Sequence, residues 1–166
     1  MIEFREITQG EESAVCDVII KTFNDFIAPT YSSEGIESFF KYINIESLPQ
    51  LFMEGYPVFT AVVAVINNQI VGVISFRVRD KECHITLLFV NGQYHRRGIT
   101  KGLLNFMLDI CKYHNANLSE ITVNSSPYAV PIYEKLGFQQ TSSEQIIDGI
   151  RFTPMALCLR EVKSWI

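Results

Sequence analysis

Three apolar runs follow one another between residues 59 and 90, and they constrain the fold more than any other stretch of the chain. Phe59 to Ile66 and Ile70 to Val78 are rich in β-branched residues. Asn67-Asn68 joins them, and Asn tolerates the positive φ of a tight hairpin. Asp80-Lys81 makes the next turn, and Cys83 to Val90 is the third run. The runs are apolar on both faces rather than one, so this β-meander has to be covered by helices on each side.

The third run also begins a change of period. Ile85 to Val90 reads as a buried strand that stops at Asn91-Gly92. From Gly98 onward, Ile99, Leu103, Met107, Ile110 and Cys111 recur at helical spacing. Between strand and helix stands His95-Arg96-Arg97-Gly98-Ile99-Thr100. A strand entering a helix through a short basic turn leaves the first helical N–H groups unpaired. The helix dipole and the charges of Arg96, Arg97 and Lys101 add positive potential, which makes an anion site suited to phosphate.

The rest of the chain supplies the cover. Ile2 to Ile7 alternates as a half-buried strand, and Thr8 with Glu11 has the pattern of a capping box. Val15, Val18, Ile19, Phe23 and Phe26 mark a helical face that Pro29 ends. Ser32-Ser33-Glu34 caps a second helix carrying Ile36, Phe39, Phe40 and Ile43. Ser119 to Asn124 reads as a strand and Tyr128 to Leu136 as a short helix, with Pro131 in its first turn and Gly137 at its C-terminal cap. Phe138 to Ile147 and Ile150 to Leu159 form a last hairpin around Asp148-Gly149, and Pro154 suggests an edge or a bulge in its second strand. The expected fold is α+β in three layers, with a mixed, mostly antiparallel central sheet and helices on both faces. At 166 residues, 1–166 is expected to be one domain.

Composition narrows the function. A net charge of −4 argues against a nucleic-acid binder. No apolar run is long enough to span a bilayer. The N-terminus lacks the pattern of a signal peptide, so a cytoplasmic location is expected. Cys16, Cys83, Cys111 and Cys158 lie far apart, without ligand spacing, so they are expected to be buried thiols, with no metal site.

The phosphate motifs can be tested in turn. Gly-x-x-x-x-Gly-Lys-[Ser/Thr] is absent, and Gly-x-Gly-x-x-Gly fails at Thr100. A third pattern fits. Leu88-Phe89-Val90 ends a strand, the turn from His95 to Thr100 opens a helix, and Ile121 to Asn124 is a second strand. Ala129-Val130-Pro131-Ile132-Tyr133-Glu134-Lys135-Leu136-Gly137-Phe138 then follows. In this order the segments strongly resemble the GNAT superfamily of N-acetyltransferases, across a core of roughly residues 83–138. Two positions depart from the family pattern. The turn has His95 and Thr100 where Gln/Arg and Gly/Ala are common, and Ser126 stands where many relatives have Asn.

The resemblance implies an acyl-CoA N-acyltransferase-like fold, acetyl-CoA as co-substrate and an amine acceptor that is a small molecule or a peptide. It implies that the amides from Arg96 through Arg97, Gly98, Ile99 and Thr100 to Lys101 cradle the pyrophosphate. The pantetheine would lie between the strands ending at Val90 and Asn124 and pair with the Leu88–Val90 backbone; His95 would belong to the phosphate turn, and Ser126 would also contact the cofactor. An N–H near Val90 would serve the oxyanion, a role worth about 3 kcal/mol where such donors have been removed. Tyr133 would be the general acid for the leaving thiolate. The base is left open among His84, Glu82, Glu54 and a water chain; of these, His84 titrates nearest neutral pH. The acceptor side is expected from residues 24–57 (Asn24, Asp25, Tyr31, Tyr42, Glu46, Phe52, Glu54, Tyr56) and from the last hairpin (Glu144, Asp148, Arg151, Phe152), where acids among aromatics would suit a cation. Two alternatives stay open. One is a non-catalytic acyl-CoA sensor of the same fold; the other is a homodimer formed through the last hairpin or an edge strand.

Overall fold

A computed structural model describes residues 1–44, 46–48, 59–115 and 117–160. In chain order it contains β1 (Glu3–Glu6), α1 (Glu12–Thr22), α2 (Ser33–Tyr42), β2 (Phe59–Ile66), β3 (Gln69–Arg79), β4 (Glu82–Val90) and α3 (Ile99–His114). These are followed by β5 (Glu120–Ser125), α4 (Val130–Lys135), β6 (Gln139–Gln140), β7 (Gln145–Ile147) and β8 (Ile150–Cys158). The strands lie in the order β1-β2-β3-β4-β5-β8-β6, with β7 also on β8. Only the β4–β5 pair is parallel among them. This is the expected mixed, mostly antiparallel sheet.

The meander forms as its turns require. Asn67 and Asn68 hold φ of 49° and 62°, and Asp80 holds 53°. Apolar side chains fill both faces. On one face α3 lays Leu103, Met107 and Cys111 against Phe76, Cys83 and Ile121. On the other, Val15 and Ile19 of α1 and Phe39 of α2 pack on Val63, Val73 and Leu87. At the sheet's first edge, a Cβ on Gly102 of α3 would overlap the Phe4 ring, so glycine lets the helix close on β1.

Several details differ from the sequence reading. Helix α1 starts at Glu12, four residues after Thr8. The Glu11 carboxylate accepts from the Thr8 N–H at 2.9 Å, as a capping box would have it. Arg5 grips the same carboxylate at 2.6 and 2.9 Å, and the chain turns through Gly10 before the helix begins. After Thr22 the helix widens into a π-helical turn, Phe23–Ile27, where the Ala28 N–H bonds back to Phe23 O. A 3-10 turn at Ala28–Thr30 follows. Ser32 caps α2, its side chain accepting from the Gly35 N–H.

The last hairpin turns at Asp148 and Gly149 as expected, but its first arm is split. β6 pairs with Ala156 and Met155, β7 with Phe152 to Ile150. Pro154 is not at an edge: it lies opposite Asn124 of β5, inside the sheet. Its carbonyl accepts from Thr141, so its N, which carries no hydrogen, faces the same side, where β6 and β7 part. Cys16, Cys83 and Cys111 are buried, with Cys83 and Cys111 in sulfur–sulfur contact at 3.1 Å, but Cys158 is exposed. No helix among the described residues is long and apolar enough to cross a membrane.

Candidate active site

The site begins with a defect in β4. Cys83 and Ile85 face α3, yet Leu87 and Phe89 face α1 and α2. The parity changes at Thr86, where the register on β3 slips: Phe76 opposes Ile85, but Ser75 opposes Leu87. Thr86 is the extra residue of a β-bulge, and its hydroxyl meets that of Ser75 at 2.6 Å. The bulge coincides with the end of the β4–β5 ladder, whose last pair is Ile85 with Val123. Beyond it, among the described residues, β5 pairs only with β8, so the sheet splits.

Backbone groups of β4 line the split. The Asn91 N–H bonds Val71 O on β3, so strand alternation turns Phe89 the same way and aims Leu88 and Val90 into the gap. Among the described residues no strand pairs with their N–H groups on that side. Val90 O is satisfied by the chain itself, through the Nε2–H of His95 at 2.7 Å.

A cleft of about 490 Å³ lies along this split, lined by residues of β4, of the end of β5 and of the helices on either face of the sheet. Of the residues implicated by sequence, Leu88, Phe89 and Val90 line it from β4, and Asn124 and Ser126 from the end of β5. His95, Thr100 and Tyr133 also line it. Tyr133 is 5% exposed, and its hydroxyl has no hydrogen-bond partner among the described residues. Burial pushes that hydroxyl far above the usual phenol value, so it stays protonated. α4 is held in place by Ser126, whose hydroxyl and carbonyl both accept from the Ala129 N–H.

Arg96, Arg97, Gly98, Ile99 and Lys101 form the turn at the end of the cleft. Arg96 and Gly98 both have positive φ, 62° and 79°. A Cβ on Gly98 would meet nothing, so conformation rather than space calls for glycine there. The first bond of α3 in this turn runs from the Gly102 N–H to Gly98 O. The N–H groups of Ile99, Thr100 and Lys101 stand ahead of it, as an anion site requires. The Ile99 side chain is core, 2% exposed, and Arg97 stacks on Tyr94 with its Cζ 5.2 Å from the ring centre.

His84 does not line the cleft. It lies two residues before Thr86, with Nδ1 2.8 Å from the Thr122 hydroxyl and 3.9 Å from Glu82. Burial, then the Arg77 charge, lowers its pKa, with Glu82 opposing. On the acceptor side Tyr31, Tyr42, Asp148 and Phe152 line the cleft. Two expected acids do not: Asp25 pairs with Lys21 at 3.1 Å, and Glu144 with Arg151 at 2.8 Å. Asn24, Glu46 and Arg151 also lie off the wall; Phe52, Glu54 and Tyr56 are outside the described residues.

Sequence reasoning missed three contributors. Phe26 reads as core by periodicity. The π-helical turn carries it onto His95 and Tyr128 instead, with ring centres 4.9 and 5.1 Å away. A Cβ on Gly92 would strike the Phe26 ring at 2.8 Å, a close approach that the Asn91-Gly92 pair could have hinted at. Tyr128 stands at the mouth. Thr22 is a buried wall residue that nothing in the sequence marks.

The family model described as "Acetyltransferase (GNAT) domain" matches residues 27–159. The uncharacterized N-acetyltransferase YafP of Escherichia coli (strain K12) is 29% identical over 145 residues, covering 87% of this chain and 86% of YafP. Two solved structures share the fold. One is the PaiA N-acetyltransferase from Thermoplasma acidophilum in complex with coenzyme A (TM-score 0.77, 20% identity, 95% of this chain and 99% of that one). The other is a GCN5-related N-acetyltransferase from Rhodopseudomonas palustris (TM-score 0.78, 17% identity, 95% of each chain).

Proposed function

This chain belongs to the GNAT acetyltransferase family, and from that premise we propose that residues 1–166 act as one domain that moves the acetyl group of acetyl-CoA onto a primary amine of a small molecule or peptide. The observation that carries the reading is the coincidence of the Thr86 bulge, the β4–β5 split and the unbonded N-terminus of α3 along one cleft.

The residues present suit the co-substrate. The amides ahead of Gly102, with Arg96, Arg97 and Lys101, offer an anion site for its pyrophosphate. The unpaired Leu88 backbone offers a strand edge to its amide arm. When bound, its thioester supplies an activated acetyl group. The Val90 N–H, aimed into the gap, is the donor for the charge that gathers on the carbonyl oxygen. The Tyr133 hydroxyl, protonated and without a partner among the described residues, holds the proton that the departing sulfur needs. His84 takes the proton of the ammonium through solvent. Its lowered pKa leaves the ring neutral at physiological pH, the form a base requires. Thr100 still contributes its backbone N–H, so its departure from the family's small residue does not argue for a mere sensor.

Coenzyme A release over an amine panel tests the proposal. Turnover that needs both acetyl-CoA and an amine supports it. Tight acetyl-CoA binding with no turnover on any amine would favour the sensor.

A further inference from the structure

Phe26 reaches from one side of the split to the other. β4 and β5 are the strands that part, and the chain leaving each of them carries an aromatic side chain to the cleft. His95 follows β4 and Tyr128 follows β5. The Phe26 ring contacts both. Its centre lies 4.9 Å from that of His95, with the planes 32° apart, and 5.1 Å from that of Tyr128, at 33°. These are the separations of offset aromatic contacts. All three rings line the cleft, so together they bridge it.

Two features of the backbone are arranged around this ring. The chain widens into a π-helical turn at Phe23–Ile27, beyond the buried face of Val15, Ile19 and Phe23. Such turns are rare and concentrate at functional sites. Phe23 is wholly buried in the core, whereas Phe26, three residues on, is partly exposed. Gly92, just after β4, leaves the space, since a Cβ there would lie 2.8 Å from the Phe26 ring. Core packing alone does not ask for a ring held out of the core and across a gap.

We propose that Phe26, braced by His95 and Tyr128, is a binding residue that covers the pantetheine arm of the co-substrate in the split. This rests on the acetyl-CoA reading above and deepens it. The arm alternates amides with methylene and dimethyl carbons. The unpaired backbone of β4 serves the amides, and a ring laid across the gap takes the apolar carbons out of water. The nucleotide end of the co-substrate is left to the turn from Arg96 to Lys101, so the two parts are held by separate groups.

Calorimetry with two ligands tests it. One is coenzyme A. The other is adenosine 3′-phosphate 5′-diphosphate, which keeps the nucleotide and both bridging phosphates but lacks the arm. Phe26→Ala should weaken coenzyme A about fivefold and speed its dissociation to match, with the nucleotide changed by less than about twofold. KM for acetyl-CoA should rise while kcat stays within about twofold. Phe26→Tyr keeps the ring and should bind coenzyme A as the unmodified protein does. Tyr128→Ala removes the far brace from a position 37% exposed and should show the same contrast between ligands, which keeps the test open if Phe26→Ala does not fold. Equal weakening of both ligands would come from a disturbed turn at His95 and overturns the proposal. So does a loss confined to the amine's KM, or coenzyme A affinity unchanged in both alanine variants, and either leaves the acetyl-CoA reading standing. An unmodified protein that binds neither coenzyme A nor acetyl-CoA overturns both.

Discussion

The imidazole Nε2 of His95 lies 2.7 Å from the carbonyl oxygen of Val90, so the turn that opens α3 is tied to the end of β4 by one of its own side chains. A carbonyl can only accept, so Nε2 carries the proton. The bond takes up one of the polar groups that would otherwise face the split, and it fixes the His95 ring beneath Phe26. His95→Ala should leave Val90 O without a partner and weaken acetyl-CoA binding about fivefold, measured by calorimetry. His95→Gln, which keeps an N–H donor, should recover most of that loss. Equal affinities for the two variants would mean that the bond does not hold the turn.

Tyr133→Phe keeps the ring that packs on Phe138 and removes only the hydroxyl. If that hydroxyl is the acid, kcat should fall about 100-fold while KM for acetyl-CoA moves little. The sign of the pKa shift adds a second check. Burial favours the neutral phenol, so kcat of the unmodified protein should show no loss from this group up to about pH 10, the usual phenol value.

His84 gives the opposite limb. Its folded pKa is lowered, so it loses its proton below the ordinary histidine value of about 6.5. The acid limb of kcat/KM should therefore lie below that pH and be absent in His84→Ala. Superimposable profiles for the two proteins would dismiss it as the base.

Gly35 and Gly149 meet backbone to backbone where α2 docks on the β7–β8 turn. A Cβ on Gly35 would overlap Gly149 O, and backbone cannot give way as a side chain can. The Tyr31 hydroxyl donates to Arg151 O and Ser38 Oγ to Asp148 O across the same contact. Gly35→Ala should cost about 1–3 kcal/mol. Each kcal/mol should lower Tm by about 2–4 °C, and the shift in the acceptor wall should raise the amine's KM more than that of acetyl-CoA.

Glu11 reports on the first edge of the sheet. The Arg5 guanidinium, with help from the Thr8 N–H, holds its carboxyl down to about 2. The folded pKa lies below the unfolded one, so this stability is present above about pH 4.3 and is lost as pH falls from there toward 2. Glu11→Gln should lower stability at neutral pH by about 1 kcal/mol, a value that allows for solvent screening of a partly exposed pair. It should also flatten the acid side of the stability curve, as followed by urea melts between those pH values.

The sequence made the sheet and its turns readable because the signals are local. Asn67-Asn68, Asp80 and Asp148-Gly149 adopt positive φ where turn chemistry asks for it. The helix N-terminus at Gly98 follows from a change of period within a few residues, and the spacing from Ala129 to Phe138 carried the family resemblance. The acceptor wall was less readable. Asp25 and Glu144 were credible partners for a cation until their own neighbours, Lys21 and Arg151, were seen to hold them. Phe26 has the spacing of a core residue, and only the π-helical turn sends it elsewhere.

By itself, then, the amino-acid order determined the strands, the helices, which faces are buried and where a helix opens through a basic turn, since periodicity and turn propensity act between near neighbours. Only the tertiary structure decided where the sheet opens. The bulge at Thr86 depends on register with β3, and the split depends on where β5 turns to β8. The cleft wall beside α2 depends on Gly35 touching Gly149. Each of these is a close approach between segments distant in the chain, set by how whole elements pack rather than by the preference of any one residue.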